Sequence, residues 1–126
     1  MRGKTLLSIV EIGGYPDMTA IYAEAGFRVV STNSQRKALK LFRDEKPDVI
    51  VSEFIFQPDF RDRYCNVGTI ASQFPIVNPD VKLVLFYESE DAPALERFIT
   101  DFAPYHAAIP HPIDRDALRL ILRELA

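Results

Sequence analysis

The chain has one cysteine, Cys65, so it cannot form an internal disulfide, and no CxxC or Cys/His metal spacing is present. No apolar run approaches the roughly 20 residues that cross a bilayer. The N-terminal MRGKTLLSIVEIGG has basic residues and a short apolar run, but that run is only LLSIV and Glu11 follows it. It reads as a first strand rather than a signal peptide, and the protein is expected to be cytoplasmic. Positive charge is not in excess. The formal net charge of -3 gives a nucleic-acid partner no electrostatic support. Repeats, low-complexity tracts and linkers are absent, so residues 1–126 read as one domain with no room for an output domain. What is present is ordinary for a soluble domain with one core: 48% hydrophobic and 26% charged residues.

The centre of the sequence is KPDVIVSEFIFQP, Lys46 to Pro58. Pro47 cannot continue a preceding helix, because it lacks an N–H and clashes with the turn before it. Val49, Ile50 and Val51 then form a β-branched run suited to a strand buried on both faces. The run stops at a carboxylate, Glu53. In open α/β sheets, sites lie beyond the carboxyl ends of the central strands, which singles out Glu53.

The rest of the chain alternates around this strand. Thr5 to Val10 is the first strand, and Gly13-Gly14-Tyr15-Pro16 is a loop. Asp17 is expected to cap a helix with Met18, Ile21, Tyr22 and Ala25 on its apolar face, ended by Gly26. Arg28 to Ser31 is strand two. Asn33 or Ser34 caps a helix to about Glu45, with Ala38, Leu41 and Phe42 inward and Arg36, Lys37, Lys40 and Arg43 in water. After strand three, QPDFRDRYCN has no period and reads as a loop. Val67, Ile70, Ala71 and Phe74 have the spacing of a short helix limited by Pro75 and Pro79. Val81 to Tyr87 is a second buried strand, followed by the polar Glu88-Ser89-Glu90-Asp91. Pro93 opens a helix with Leu95, Phe98, Ile99 and Phe102 inward. Ala107 to Ile109 is a short strand, and Asp114 caps a last helix that buries Ala117, Leu118, Ile121, Leu122 and Leu125. Five strand–helix repeats imply an α/β fold with a parallel sheet and helices on both faces. Right-handed crossovers give the flavodoxin-like order 2-1-3-4-5.

The segment AGFRVVSTNSQRKALKLFRDEKPDVIVSE resembles the helix one to strand three text of response-regulator receiver domains of the CheY-like family. NPDVKLVLFY and IPHPIDRDALRLIL are similar to that family's fourth strand and its closing Lys-Pro segment with the last helix. The resemblance covers nearly the whole chain. It implies a domain in two-component signalling, with a phospho-acceptor Asp, an acidic pair holding Mg²⁺, a strand-four hydroxyl and a strand-five lysine.

Position by position, this chain departs from that set. The acceptor falls on Glu53, the acidic pair on Glu11 and Ile12, the hydroxyl on Tyr87, and the lysine on His111, still followed by Pro112. The switch aromatic, three residues before the lysine, falls on Ala108. Glu53 carries one methylene more than Asp, and a 1 Å misplacement can cost about 10²-fold in an in-line displacement. Glu also carries part of the negative charge that a phosphoryl group adds. Ile12 removes a carboxylate where Mg²⁺ demands near-octahedral oxygen ligation. Glu11 and Glu53 could share a cation, but the expected state is a pair of solvated carboxylates and no metal. Tyr87 is bulky enough to cover the pocket. His111 is not a constant positive charge, and it could pair with Glu53 or Glu11. Pro58 lies five residues after Glu53 instead of four, and the longer loop brings Phe54, Phe56, Phe60 and Tyr64, which read as packing over the core edge or as a partner patch.

The expectation is a pseudo-receiver: no catalytic residue, no cofactor, and a phosphorylation-independent protein–protein interaction. Its partner would be a signalling protein or a second copy, met through helix four, strand five and helix five. Arg115, Arg119 and Arg123 form an i, i+4, i+8 stripe that could meet an acidic partner, or could simply be a solvated face. Two alternatives stand beside it. One is a residual phosphorelay receiver accepting phosphate near Glu53. The other is a small flavodoxin-like ligand-binding domain or enzyme, for which no nucleophile–base pair is evident and Gly13-Gly14 is a weak anion signal.

Overall fold

Strands with apolar residues on both faces set the layering. The computed structural model of the chain describes residues 4–10, 18–54, 73–101 and 105–126. Its strands are β1 (Thr5–Ile9), β2 (Arg28–Thr32), β3 (Val49–Glu53), β4 (Lys82–Tyr87) and β5 (Ala107–Pro110). Its helices are α1 (Thr19–Glu24), α2 (Gln35–Glu45), α3 (Phe74–Val77), α4 (Ala92–Asp101) and α5 (Arg115–Leu125), with a 3₁₀ turn at Ser89–Asp91 before α4. All strand pairs are parallel, and the sheet order is β2-β1-β3-β4-β5. This is the flavodoxin-like arrangement that the alternation implies.

Successive strand residues point to opposite faces, and the core divides accordingly. Leu7, Ile9, Ile50, Leu83 and Leu85 pack with Ala38 and Phe42 of α2, Phe74 of α3, and Ala94 and Leu95 of α4. Leu6, Val49, Val51, Val84 and Phe86 pack with Ile21 and Tyr22 of α1 and with Leu118, Leu122 and Leu125 of α5. Full burial of one such side chain stabilises by about 1.5–3 kcal/mol, so the helices are held mainly by their apolar faces.

Local chemistry sets the helix ends. After α1, Gly26 takes φ +97, a conformation that Gly adopts without steric cost. Phe27 N–H donates to the Tyr22 carbonyl and Gly26 N–H to the Ala23 carbonyl, closing the helix as a Schellman motif. Ser34 caps α2 by accepting from Lys37 N–H. Asp114 caps α5 by accepting from the Asp116 and Ala117 N–H groups. The expected cap Asp17 lies outside the described residues. The residue at the cap position of α1 is Met18, whose side chain makes no cap hydrogen bond and is buried against α1 and α5 instead.

Some boundaries differ from expectation. Phe74 opens a four-residue helix instead of closing one, and Pro75 sits in its first turn, where the missing N–H costs nothing. Val67, Ile70 and Ala71 lie outside the described residues. The α2 helix ends at Glu45, as expected, and its C-cap Lys46 takes φ 47, a left-handed position held without glycine. β2 also runs one residue past Ser31, to Thr32.

Candidate functional site

The carboxyl ends of β3, β4 and β5 are aligned by the sheet register. Glu53 pairs with Phe86, and Tyr87 pairs with Pro110. Phe54 N–H donates to the Phe86 carbonyl at 2.7 Å, and His111 N–H donates to the Tyr87 carbonyl at 2.8 Å. The sheet therefore brings Glu53, Tyr87 and His111 to one rim. Glu11 and Ile12, the other two positions of the set, lie outside the described residues.

Glu53 corrects an expectation. A strand-end carboxylate was expected in solvent, yet Glu53 is 1% exposed. The strand period places it on the Val49 and Val51 side, toward α1 and α5. Burying a carboxylate is expensive unless it is hydrogen-bonded or paired, so the fold invests in holding this group. Its neighbour Ser52 is also 1% exposed. The Ser52 hydroxyl donates to the Glu53 backbone carbonyl at 2.9 Å, and the alternation puts its side chain on the opposite face, as the spacing implies. Among the described residues, no group of three or more His, Cys, Asp or Glu side chains is arranged to hold a metal ion.

The hydroxyl and aromatic positions lie on the other face. Tyr87 is partly buried against the α2–α3–α4 layer, together with Tyr105 and Ala108. Burial raises the Tyr105 hydroxyl above its ordinary value of 10.0, with further contributions from Tyr87 and Glu96. The Tyr87 ring is thus held in the apolar layer beside a second tyrosine. Sequence reasoning missed Tyr105; its position just before β5 was the available signal. Phe54 is buried in the same core, which settles that residue as packing. Phe56, Phe60 and Tyr64 lie outside the described residues.

His111 Nδ1 lies 3.7 Å from Glu88 Oε2, with both side chains substantially exposed. Glu88 is the first residue after β4, a partner different from the Glu53 and Glu11 that the sequence suggests for this histidine. The His111–Pro112 peptide is cis.

In the arginine stripe of α5, Arg119 has partners within the chain. Arg119 Nε lies 3.4 Å from Glu24 Oε2 on α1, and its NH1 donates to Asp116 Oδ1 at 3.0 Å. On the opposite flank of α5, Glu124 lies 3.4 Å from His106 Nε2, just before β5. Arg119 therefore belongs to the α1 flank; Arg115 and Arg123, in the same i, i+4 row, are exposed. The flank nearer β5 carries Ala117, Ile121 and Glu124, and it borders Leu120, which is 60% exposed.

No protein-family model and no curated protein matches the chain. Solved structures do. The N-terminal domain of an uncharacterized protein from Wolinella succinogenes superposes with a TM-score of 0.74 at 15% identity, covering 97% of this chain and 93% of that one. A response regulator receiver domain protein from Clostridium thermocellum gives 0.73 at 13% identity, covering 97% and 93%. The receiver domain of a sensor histidine kinase from Pseudomonas aeruginosa, with a magnesium ion coordinated in its active site cleft, gives 0.70 at 14% identity, covering 98% and 97%. The chain has the receiver-domain fold. The receiver fold puts the rim described above, Glu53, Tyr87 and His111, at the place where α/β sheets of this order carry their sites. No helix among the described residues is long and apolar enough to cross a membrane.

Proposed function

We propose that the chain is a receiver-type interaction module of two-component signalling that works without phosphoryl transfer. The observation that carries this reading is Glu53. A glutamate, not an aspartate, ends β3, and it is buried. Its extra methylene displaces the carboxylate by about one bond length, enough to cost about 10²-fold in a displacement reaction. His111 stands where the resemblance implies a lysine, and Ala108 where it implies the switch aromatic. Alanine has no rotamer to change, so a relay from the rim to the β5 edge has no last member. Output then comes from a constant surface. The surface we assign is α4, β5 and the adjoining flank of α5, with Leu120 as its exposed apolar residue, and its partner is a signalling protein or a second copy.

Incubation with acetyl phosphate and Mg²⁺, followed by intact-mass measurement, is expected to show no phosphoryl adduct. An adduct that disappears in Glu53→Gln overturns the proposal and makes the chain a working phosphorelay receiver.

A further inference from the structure

Two oppositely charged features flank the candidate site on the rim. The first is a groove at the β2 edge. Ser31, Thr32 and Asn33 from the end of β2, with Lys37, Lys40 and Leu41 of α2, line an open cavity of about 630 Å³. Arg36 is exposed on the same helix, next to Lys37. Among the described residues, no carboxylate lies within ion-pairing distance of Arg36, Lys37 or Lys40. β2 is the outer strand of the sheet, so no further strand of the sheet closes the groove.

The second feature is the turn after β4. Glu88 and Glu90 are exposed and Asp91 is half-buried, three carboxylates within four residues around the 3₁₀ turn. Burial raises the Asp91 carboxyl above its ordinary value, and the Glu90 and Glu88 charges raise it further. His111 lies 3.7 Å from Glu88, while no ion pair to Glu90 or Asp91 is seen among the described residues.

The two features cannot neutralise each other in one molecule. β1 and β3 lie between β2 and β4, a separation of three strand spacings, about 14 Å. That exceeds the screening length of about 8 Å at physiological ionic strength. We propose that the β2–α2 groove of one copy takes the Glu88–Asp91 turn of a second copy. Lys37 and Lys40 in the groove, with Arg36 beside it, meet the carboxylates of the turn, while the hydroxyls of Ser31 and Thr32 and the amide of Asn33 can donate to carboxylate oxygens. The contact joins two different surfaces, so it is heterologous. Its groove half lies at the β2 edge, at the far side of the sheet from β5, while the turn adjoins the start of α4; it does not rest on the proposed function.

Sedimentation equilibrium of the whole chain tests this. At about 0.01 M salt, where the screening length is about 30 Å, the average mass should rise with protein concentration; at about 1 M, where it is about 3 Å, it should stay at that of the monomer. The pair Lys37→Glu with Lys40→Glu should weaken association about tenfold, and so should Glu88→Lys with Glu90→Lys. An equimolar mixture of the two variants should associate again, because each restores the other's complement. Circular dichroism checks that each variant is folded. A wild-type chain that stays monomeric at low salt overturns the proposal. So does association that ignores salt and both charge reversals, or folded variants that fail to associate on mixing.

Discussion

Phe42 is fully buried, and its ring meets Phe74 edge-on at a centroid distance of 5.4 Å and an angle of 61°. The pair joins α2 to the start of α3 beneath the sheet. Phe42→Ala should destabilise by about 3–5 kcal/mol, because a lost ring leaves a cavity that a packed core only partly closes. Chemical denaturation monitored by circular dichroism reads this directly. Glu53 is the opposite kind of residue: charged, equally buried, and placed at the rim by the last position of β3. The sequence places this residue at a strand end but does not reveal its burial, since burial depends on what distant parts of the chain bring against that end of the strand.

At the scale of the element, the helix ends are mostly written locally. Ser34, Asp114 and Gly26 terminate helices through their own side-chain oxygens or their own backbone freedom. Lys46 is the exception, holding φ 47 without the freedom of glycine. A left-handed residue with a Cβ costs about 1–2 kcal/mol, so Lys46→Gly should raise thermal stability by up to about that much, less the greater flexibility of glycine in the unfolded chain. The turn before α4 carries a different cost. The Asp91 carboxyl titrates above 3.8 in the folded chain, first because of burial and then because of Glu90 and Glu88. A raised folded value means that the folded state holds the proton more tightly than the unfolded state. Ionisation therefore costs stability above that range, and the cost disappears as pH falls below 3.8. Asp91→Asn should stabilise at neutral pH by less than about 1 kcal/mol, given its partial exposure to screening water. A pH series of urea melts should show that gain vanishing in acid.

For the whole molecule, surface charge helps to hold one helix against another. Arg119 bridges Glu24 of α1 and Asp116 of its own helix, so it helps to seat α5 on α1. Arg119→Ala should lower stability by no more than about 1 kcal/mol, as exposed ion pairs do, and should leave partner binding through α4–β5–α5 unchanged. Leu120→Asp should weaken that binding with little effect on the melting temperature, because its side chain is already mostly in water. Calorimetric melts together with a binding assay against a captured partner, or against the chain itself, separate the two arginine and leucine outcomes.

The sequence by itself determined the element order, the two-faced burial of β3 and β4, the sheet topology and three helix ends. These follow from periodicity and capping, which act over a few residues, and from the handedness of crossovers, which every chain shares. Tertiary structure alone decided that Glu53 is buried, that Glu88 meets His111, and that Arg119 of α5 reaches Glu24 of α1. The i, i+4 spacing of Arg115, Arg119 and Arg123 draws a line along the helix beside its buried stripe. Either flank of that stripe fits the same spacing, and only the packing of α1 on one side and the β5 edge on the other distinguishes them.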